Sequence, residues 1–268
     1  MSSAGSVATL AASIAAAASA SPEELASPPA TGRSDSDDPM RDQRRTARVA
    51  GALYLALFGL GPFVYFYVPG ELFHDDATTT IAEISSNTGL FTAGMIAETI
   101  IVGIELTLAG LLWKLFRPVS ESLAFSSSLA RAGVAFIQMV TVLLAGAVLI
   151  VVDRGGLSGL GDGDRAEVAG FLVDMIGLGV MGWGLLFGLH LLLLGLLVRR
   201  SDLMPSWIGS LLMFASVGYL AQSYGYFIDP DLDGFFENVV VVLSVPGELA
   251  FAGYLLFLGV QATDQPTG

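Results

Sequence analysis

The chain has 268 residues, of which 53% are hydrophobic and only 14% are charged, whereas soluble domains carry about 25% charged residues. The net charge of −13 argues against nucleic-acid binding and against a polybasic lipid-binding surface. No cysteine is present, which excludes disulfides and thiol catalysis. A histidine-rich metal site is implausible, because only His74 and His190 supply imidazole. We expect no metal and no cofactor, and we rank an intramembrane enzyme last, because such enzymes usually show paired catalytic residues and cofactor ligands.

The first part of the chain, residues 1–39, is rich in Ala, Ser, Pro and Gly. Its apolar stretch Val7–Ala20 lacks the positively charged start of a signal peptide and is too short to span a bilayer. We predict a disordered cytoplasmic tail, followed by a membrane domain over residues 40–268. Alternatively the tail is not native sequence, because Met40 directly precedes a basic segment and the first span, as a true start does.

Six apolar segments follow, and each reaches the roughly 20 residues that a ~30 Å hydrocarbon core requires. Such segments must be helical, because lipid cannot satisfy open backbone groups. The sequence therefore predicts an all-α, polytopic integral membrane protein built as a six-transmembrane-helix bundle. The predicted spans are Val49–Val68, Phe91–Trp113, Leu123–Val152, Val168–Val198, Trp207–Ile228 and Val239–Val260.

Basic residues occur mainly in alternate loops, which define a basic face and, on the other side, an acidic face. By the positive-inside rule, the basic face and both termini are cytoplasmic. We expect a multi-pass protein of the cell membrane. The residues of the basic face are Arg41, Arg44, Arg45, Arg48, Lys114, Arg117, Arg199 and Arg200, against Arg154 and Arg165 on the acidic face.

Aromatic residues lie near the span ends, where amphipathic rings prefer the membrane interface. We interpret them as interface anchors. They are Tyr65, Tyr67, Tyr224 and Tyr226 toward the acidic face, and Trp113 and Trp207 toward the basic face.

Several polar residues fall inside the predicted spans, where a charge costs at least ~2.5 kcal/mol and needs a partner or a function. They are Glu98, Glu105, Arg131, Gln138, Asp174, His190, Gln222 and Glu248.

Two pairs of these residues match in depth across the hairpin of spans two and three. Glu105 and Arg131 are each 13 residues from Pro118, and Glu98 and Gln138 are each 20 residues from it. Because partners within each helix are seven apart, they share a face. We predict an ion pair between Glu105 and Arg131, with Glu98 stacked against Gln138. If the pair forms, the seam is either a polar path for a ligand or a buried ion pair that makes helix packing specific. Alternatively, Arg131 does not pair with Glu105 and its side chain snorkels to the cytoplasmic interface.

Two further residues have both a functional and a structural interpretation. Glu248 follows Pro246 and Gly247, which either break the helix, as in transporters, or merely kink it. His190 is either a proton relay or, as we favour, a packed and hydrogen-bonded side chain.

Two motifs are weaker than they look. Gly177, Gly179 and Gly182 spell GxGxxG, but no strand precedes them, so we interpret them as sites of close helix packing. The acidic run that begins at Asp229 resembles a calcium loop, but Val240 stands where that loop needs a bidentate Glu. A solvated acidic loop is the better interpretation.

The segments RRTARVAGALYL at Arg44–Leu55 and GLHLLLLGLLVRRSDLMPSWIGSLLMFASVGYL at Gly188–Leu220 resemble an uncharacterised prokaryotic membrane family, domain of unknown function 4386. Gly61–Pro62, Arg131 and Gly247–Glu248 also resemble that family. The chain departs from the family pattern at Val134 and Ala135, where an acidic residue tends to follow the arginine. The resemblance implies six spans, no established activity and no assigned site residues.

Two functions remain open from the sequence. Either the protein binds or moves a small solute or ion along the seam of spans two, three and six, or it is a non-catalytic membrane module that contacts itself or a partner protein through its helices. A cavity at Glu105, Arg131 and Glu248 would favour the first, and dry packing the second.

Overall fold

The structure, a computed structural model, describes residues 39–74, 76–229 and 232–260. The chain divides into two units, Met1–Pro39 and Met40–Gly268. The predicted disordered tail lies outside the described residues except for Pro39, so its disorder stays a prediction.

All secondary structure in the described residues is helical, which confirms the predicted all-α class. The elements are α1 Pro39–Pro62, a π-helical turn Phe63–Tyr67, α2 Val68–Leu72, α3 Ala77–Ser86, α4 Thr88–Phe116, α5 Glu121–Val152, α6 Asp162–Arg200, α7 Ser206–Ile228, α8 Asp233–Gly253 and a second π-helical turn Tyr254–Leu258.

Five helices in the described part of the chain are long and apolar enough to cross a membrane. The predicted fifth span is helix α7, which has 23 residues but carries serines, glycines, tyrosines and Gln222 along its length. A multi-pass helical membrane protein is therefore found, with five of the six predicted spans. The five are Met40–Leu72, Thr88–Phe116, Glu121–Val152, Asp162–Arg200 and Gly234–Leu258.

Small residues bring α6 and α7 together as antiparallel neighbours. Near the basic face, a Cβ added to Gly195 or to Gly209 would lie 2.6 Å from the carbonyl oxygen of the other. Nearer the acidic face, a Cβ on Gly184 would lie 2.5 Å from the hydroxyl of Ser223. These contacts support the interpretation of the span-four glycines as packing residues. Gly177 is different, because a Cβ there would meet nothing within 4 Å.

The two intramembrane prolines have different effects. After Pro62, which has no N–H to donate to the preceding turn, α1 widens into the π-helical turn Phe63–Tyr67. Pro246, in contrast, lies within an uninterrupted α8. The adjacent Gly247 lets α8 approach α7, since a Cβ there would lie 3.0 Å from the carbonyl oxygen of Leu211. A break in span six is therefore not present.

The two largest of the three packed apolar clusters in the described residues lie at different depths of the bundle. The larger cluster lies toward the basic face and includes Leu112, Leu197 and Leu255, all buried. The smaller cluster lies toward the acidic face and includes Leu72 and Val148. The polar residues predicted from the sequence lie between these clusters.

A short amphipathic helix, α3, was not predicted from the sequence. Asp76 caps its N-terminus by accepting hydrogen bonds of 2.8 Å from both the backbone N–H and the hydroxyl of Thr79. These hydrogen bonds hold the pKa of the Asp76 carboxyl below its ordinary value. The side of α3 that faces the bundle carries Ile84, which is fully buried in the smaller cluster.

Candidate functional site

Arg131 of α5 and Glu105 of α4 form the predicted ion pair. Arg131 Nε lies 2.7 Å from Glu105 Oε2, and the two side chains are 0% and 5% exposed. The Nε–H is not directed well enough at that oxygen for a hydrogen bond, so the contact is mainly electrostatic. Because Arg131 is fully buried, it does not snorkel to the interface.

Arg131 also contacts α1 and α6. Its Nη1 donates to the hydroxyl of Tyr54 at 2.8 Å and to Nε2 of His190 at 3.0 Å. The guanidinium carbon lies 4.8 Å from the ring centre of Tyr54 and 5.7 Å from that of Phe187, within the range of a cation–π interaction. One buried cation therefore joins four helices.

His190 has its tautomer fixed by its partners. Since arginine only donates, Nε2 of His190 must accept, and we assign the ring as neutral with its proton on Nδ1. Nδ1 lies 2.9 Å from the carbonyl oxygen of Ser127 and 3.0 Å from its hydroxyl. His190 is thus the packed, hydrogen-bonded residue that was predicted.

Glu98 and Gln138 are not stacked on each other, so that part of the prediction is wrong. Glu98 Oε1 accepts from the hydroxyl of Thr141 at 2.8 Å, and Gln138 Nε2 donates to the hydroxyl of Tyr65 at 2.6 Å. The Thr141 oxygen is also 2.7 Å from the carbonyl oxygen of Gln138. Its single proton can serve only one of these two acceptors at a time. The partner of Glu98 is therefore Thr141, one helical turn further along α5 than the predicted Gln138.

Glu248 of α8 accepts a hydrogen bond of 3.2 Å from the hydroxyl of Tyr219 on α7. Glu98 and Glu248 are both half-buried. Within the part of the chain that the structure describes, neither forms an ion pair. Their partners are therefore hydroxyl groups, in contrast to Glu105.

A cavity of about 770 Å³ connects these groups between the helices. Its deepest lining residues, Tyr54, Glu105, Arg131 and Glu248, rest on the larger apolar cluster that packs toward the basic face. Toward the acidic face the lining includes Glu237, which is exposed. The lining therefore extends from residues next to the larger apolar cluster to the exposed Glu237 toward the acidic face.

Aromatic rings form one wall of the cavity. Trp183 stacks on Phe187 with ring centres 5.0 Å apart and meets the edge of Tyr219 at 5.6 Å. Tyr65 lies 6.1 Å from Trp183. The π-helical turn after Pro62 carries Tyr65 into this wall, so Tyr65 faces inward to Gln138 and is not an interface anchor.

The model of one protein family matches residues 49–259, a stretch that contains every lining residue of the cavity. It is described as a domain of unknown function, DUF4386. The chain belongs to the DUF4386 family. The family resemblance of the sequence is thereby confirmed, and it assigns no activity.

A relative of this DUF4386 protein gives no further functional information. An uncharacterised protein of Archaeoglobus fulgidus is 37% identical over 82 residues, which is 29% of this chain and 44% of that relative. The match thus spans less than half of the relative's length. No solved structure matches this chain.

The remaining predicted residues lie at the edge of the cavity. Asp174 is exposed, Gln222 is half-buried, and both line the cavity. No group of three or more His, Cys, Asp or Glu side chains in the described residues is arranged to hold a metal ion. That the protein has no catalytic centre and no cofactor stays a prediction.

Sequence reasoning missed the tyrosines and Thr141 that bind the predicted polar residues. Tyr54 and Tyr65 are 11 residues apart, which is three helical turns and therefore one face of span one. That spacing was a usable signal. Tyr219 gave no comparable signal, because its partner lies on another helix at an unrelated distance along the chain.

Proposed function

We propose that this DUF4386 protein is a six-span protein of the prokaryotic plasma membrane that binds a small solute or ion in the cavity between its spans. Its role is non-enzymatic, and both termini lie in the cytoplasm. The cavity, with half-buried carboxyl groups on its wall, is the observation that carries the proposal.

The sixth span in this proposal is α7. At 1.5 Å per residue its 23 residues extend about 35 Å, which exceeds a hydrocarbon core of about 30 Å. It is antiparallel to the apolar span α6 from Gly209 to Ser223. Its serines and Gln222 are tolerable because α6 and α8 cover it on both sides.

The orientation rests on the arginine distribution. Three loops that lie on one face carry the basic residues, and the ion pair of 2.8 Å between Asp42 and Lys114 joins two of these segments. Since the basic face is expected in the cytoplasm, the cavity would open to the outside of the cell. Outward opening suits a protein that takes up or senses an external solute.

The alternative is a membrane module that acts only through helix contacts with itself or a partner protein. Such a module gains nothing from a cavity of about 770 Å³, since voids reduce packing energy. The exposed apolar side chains of the spans give no separate support to it, because lipid contact accounts for them.

A filled-cavity variant tests the proposal. Gly177 lines the cavity and a Cβ there would meet nothing within 4 Å, so we expect the ring of Gly177→Phe to occupy the cavity. Gly103→Phe is the matched control, equally open but outside the cavity lining. The melting temperature of the purified protein is measured with anionic, neutral and cationic small solutes. A bound solute at 100 times its Kd increases the free energy of unfolding by about 2.7 kcal/mol and so raises the melting temperature.

The proposal predicts that at least one solute class stabilises the wild type and Gly103→Phe in a saturable way, but not Gly177→Phe. Stabilisation of Gly177→Phe to the same extent would place binding elsewhere. No stabilisation by any class would favour the helix-contact alternative.

A further inference from the structure

Among the described residues that line the cavity, acidic residues outnumber basic residues by five to one. The carboxyl groups belong to Glu98, Glu105, Asp174, Glu237 and Glu248, and the basic residue in this described lining is Arg131. Arg131 already forms an ion pair with Glu105, with its Nε 2.7 Å from Oε2. Four carboxyl groups therefore have no basic counterpart within the cavity.

Two of these four groups are deep in the cavity and half-buried. Among the described residues, the hydrogen-bond partners of Glu98 and Glu248 are the hydroxyls of Thr141 and Tyr219. A neutral hydroxyl would not balance the charge of an ionised carboxylate in a medium of low polarity, whereas a cationic ligand would, so a bound cation stabilises the ionised form. Asp174 and Glu237 stand at exposed positions of the lining, where negative charge attracts cations toward the opening.

The aromatic wall offers the second contact that an organic cation prefers. Trp183, Phe187, Tyr219 and Tyr65 form a continuous set of rings with neighbouring centres 5.0 to 6.1 Å apart. The face of an aromatic ring attracts a cation. The same wall already holds one, since the guanidinium of Arg131 lies 5.7 Å from the ring centre of Phe187.

A buried acceptor in the same cavity is left without a donor. Gln138 is 3% exposed and lines the cavity, and its Oε1 accepts no hydrogen bond. A buried acceptor without a partner destabilises the folded protein. This oxygen has almost no accessible surface, so the Gln138 side chain has to turn for a ligand N–H to reach it. Such an N–H favours an ammonium group over a quaternary cation.

From these four observations we infer that the cavity binds an organic ammonium cation with an apolar, ring-sized body. This inference rests on the proposed function and names its ligand class. The ammonium group is held between Glu98, Glu248 and Gln138, and the body packs on Trp183 and Phe187.

Three matched probes test the inference. 2-Phenylethylammonium, propylbenzene and 3-phenylpropanoate share a phenyl body and differ in charge. The reporter is Trp183, made the sole tryptophan by Trp113→Phe and Trp207→Phe, in nanodiscs of phosphatidylglycerol. We expect a saturable change of Trp183 emission with the ammonium probe, and binding at least about tenfold weaker for the other two, or roughly 1.4 kcal/mol.

The carboxyl groups are tested separately. Glu98→Gln and Glu248→Gln should each weaken binding of the ammonium probe about tenfold, while Glu121→Gln, at an exposed position outside the cavity, should leave it unchanged. Adding phosphatidylethanolamine to the nanodiscs distinguishes a free amine from a lipid headgroup. An unchanged Kd assigns the site to a free amine, and competition assigns the same ammonium chemistry to the lipid.

The experiment distinguishes a wrong ligand class from a wrong proposed function. If the neutral or anionic probe binds as tightly as the ammonium probe and Gly177→Phe abolishes that binding, the cation preference is wrong and the solute cavity stands. If none of the three probes changes Trp183 emission in a saturable way, the ligand class is wrong, and the proposed function then stands or falls with the thermal-stabilisation test of Gly177→Phe against Gly103→Phe.

Discussion

Arg131 illustrates how a charge becomes tolerable inside a membrane bundle. It is fully buried, yet Glu105 supplies the opposite charge and Tyr54 and His190 accept its hydrogen bonds. Burying such a group alone would cost several kcal/mol. Since the partners come from α1, α4 and α6, the guanidinium also ties together helices that are distant in sequence.

We predict strong coupling between Glu105 and Arg131. Glu105→Gln or Arg131→Met should each destabilise the folded protein by about 3–5 kcal/mol, because each leaves the other charge buried without its partner. The double variant should recover part of that loss. Chemical denaturation in detergent, analysed as a double-mutant cycle, measures the coupling. Additive effects of the two changes would mean that the ion pair contributes nothing of its own.

At the residue scale, only contacts within one hairpin were accessible from the sequence. Glu105 and Arg131 lie equally far from the turn at Pro118, so their depth could be calculated. Tyr54 and His190 also bind Arg131, but they reach it from spans whose lateral order is set by packing. Glu98 shows the limit within the hairpin itself, because its partner Thr141 is one turn away from the predicted Gln138.

At the scale of elements, the close crossing of α6 and α7 depends on two glycines. Gly195→Ala or Gly209→Ala should destabilise the protein by about 1–3 kcal/mol, because the new Cβ would lie 2.6 Å from a backbone oxygen that cannot turn aside. Gly110→Ala is the control, since a Cβ there meets nothing within 4 Å and alanine favours the helix. Thermal unfolding in detergent measures the difference, and equal melting temperatures for the three variants would contradict the crossing.

The cap of α3 should make that helix sensitive to acid. The pKa of Asp76 is lowered from an ordinary value of 3.8, first of all by its hydrogen bond with Thr79. A lowered folded-state pKa stabilises the helix above the unfolded value, and the stabilisation is lost as the pH falls through the folded pKa, that is, below about 4. A spin label on Ser85→Cys, the one thiol of the chain, should therefore become more mobile below that pH.

Asp76→Asn provides the control for the acid response, because asparagine caps as well but does not titrate. The label in this variant should keep its mobility across the same pH range. The same acid response in both proteins would show that other groups govern α3.

Element boundaries were less predictable than element type. Length and apolarity indicated the long helices, because a bilayer imposes both. Helix α3 was missed, since ten residues with a single buried stripe leave little pattern. The π-helical turn after Pro62 was missed for another reason: the proline signals a disturbance, but whether the helix widens or bends depends on the packing of Tyr65 against α5.

For the whole molecule, the count of spans is decided by α7. If α7 crosses the bilayer, Asp202 before it and Asp229 after it, both exposed, lie on opposite sides. In intact cells an impermeant thiol reagent should label Asp229→Cys, and it should label Asp202→Cys only after permeabilisation. Labelling of both residues from the same side would leave five spans and place the termini on opposite sides of the membrane.

The central claim is a solvent-filled cavity that is open to the acidic face and closed to the basic face. Ser244 on α8 is 5% exposed and lines this cavity, whereas Ser216 is 1% exposed and lies between α6 and α7 outside it. Because the chain has no cysteine, Ser244→Cys and Ser216→Cys each carry a single thiol in an otherwise native protein.

The direct measurement is the rate at which a small, impermeant methanethiosulfonate, added outside intact cells, modifies these two variants. We predict that Ser244→Cys reacts, that Gly177→Phe in the same chain slows this reaction at least about tenfold, or roughly 1.4 kcal/mol, and that Ser216→Cys stays unmodified. A Ser244→Cys protein that is folded but as unreactive as Ser216→Cys would mean that the helices are packed dry at this depth, and the cavity would not be a binding site.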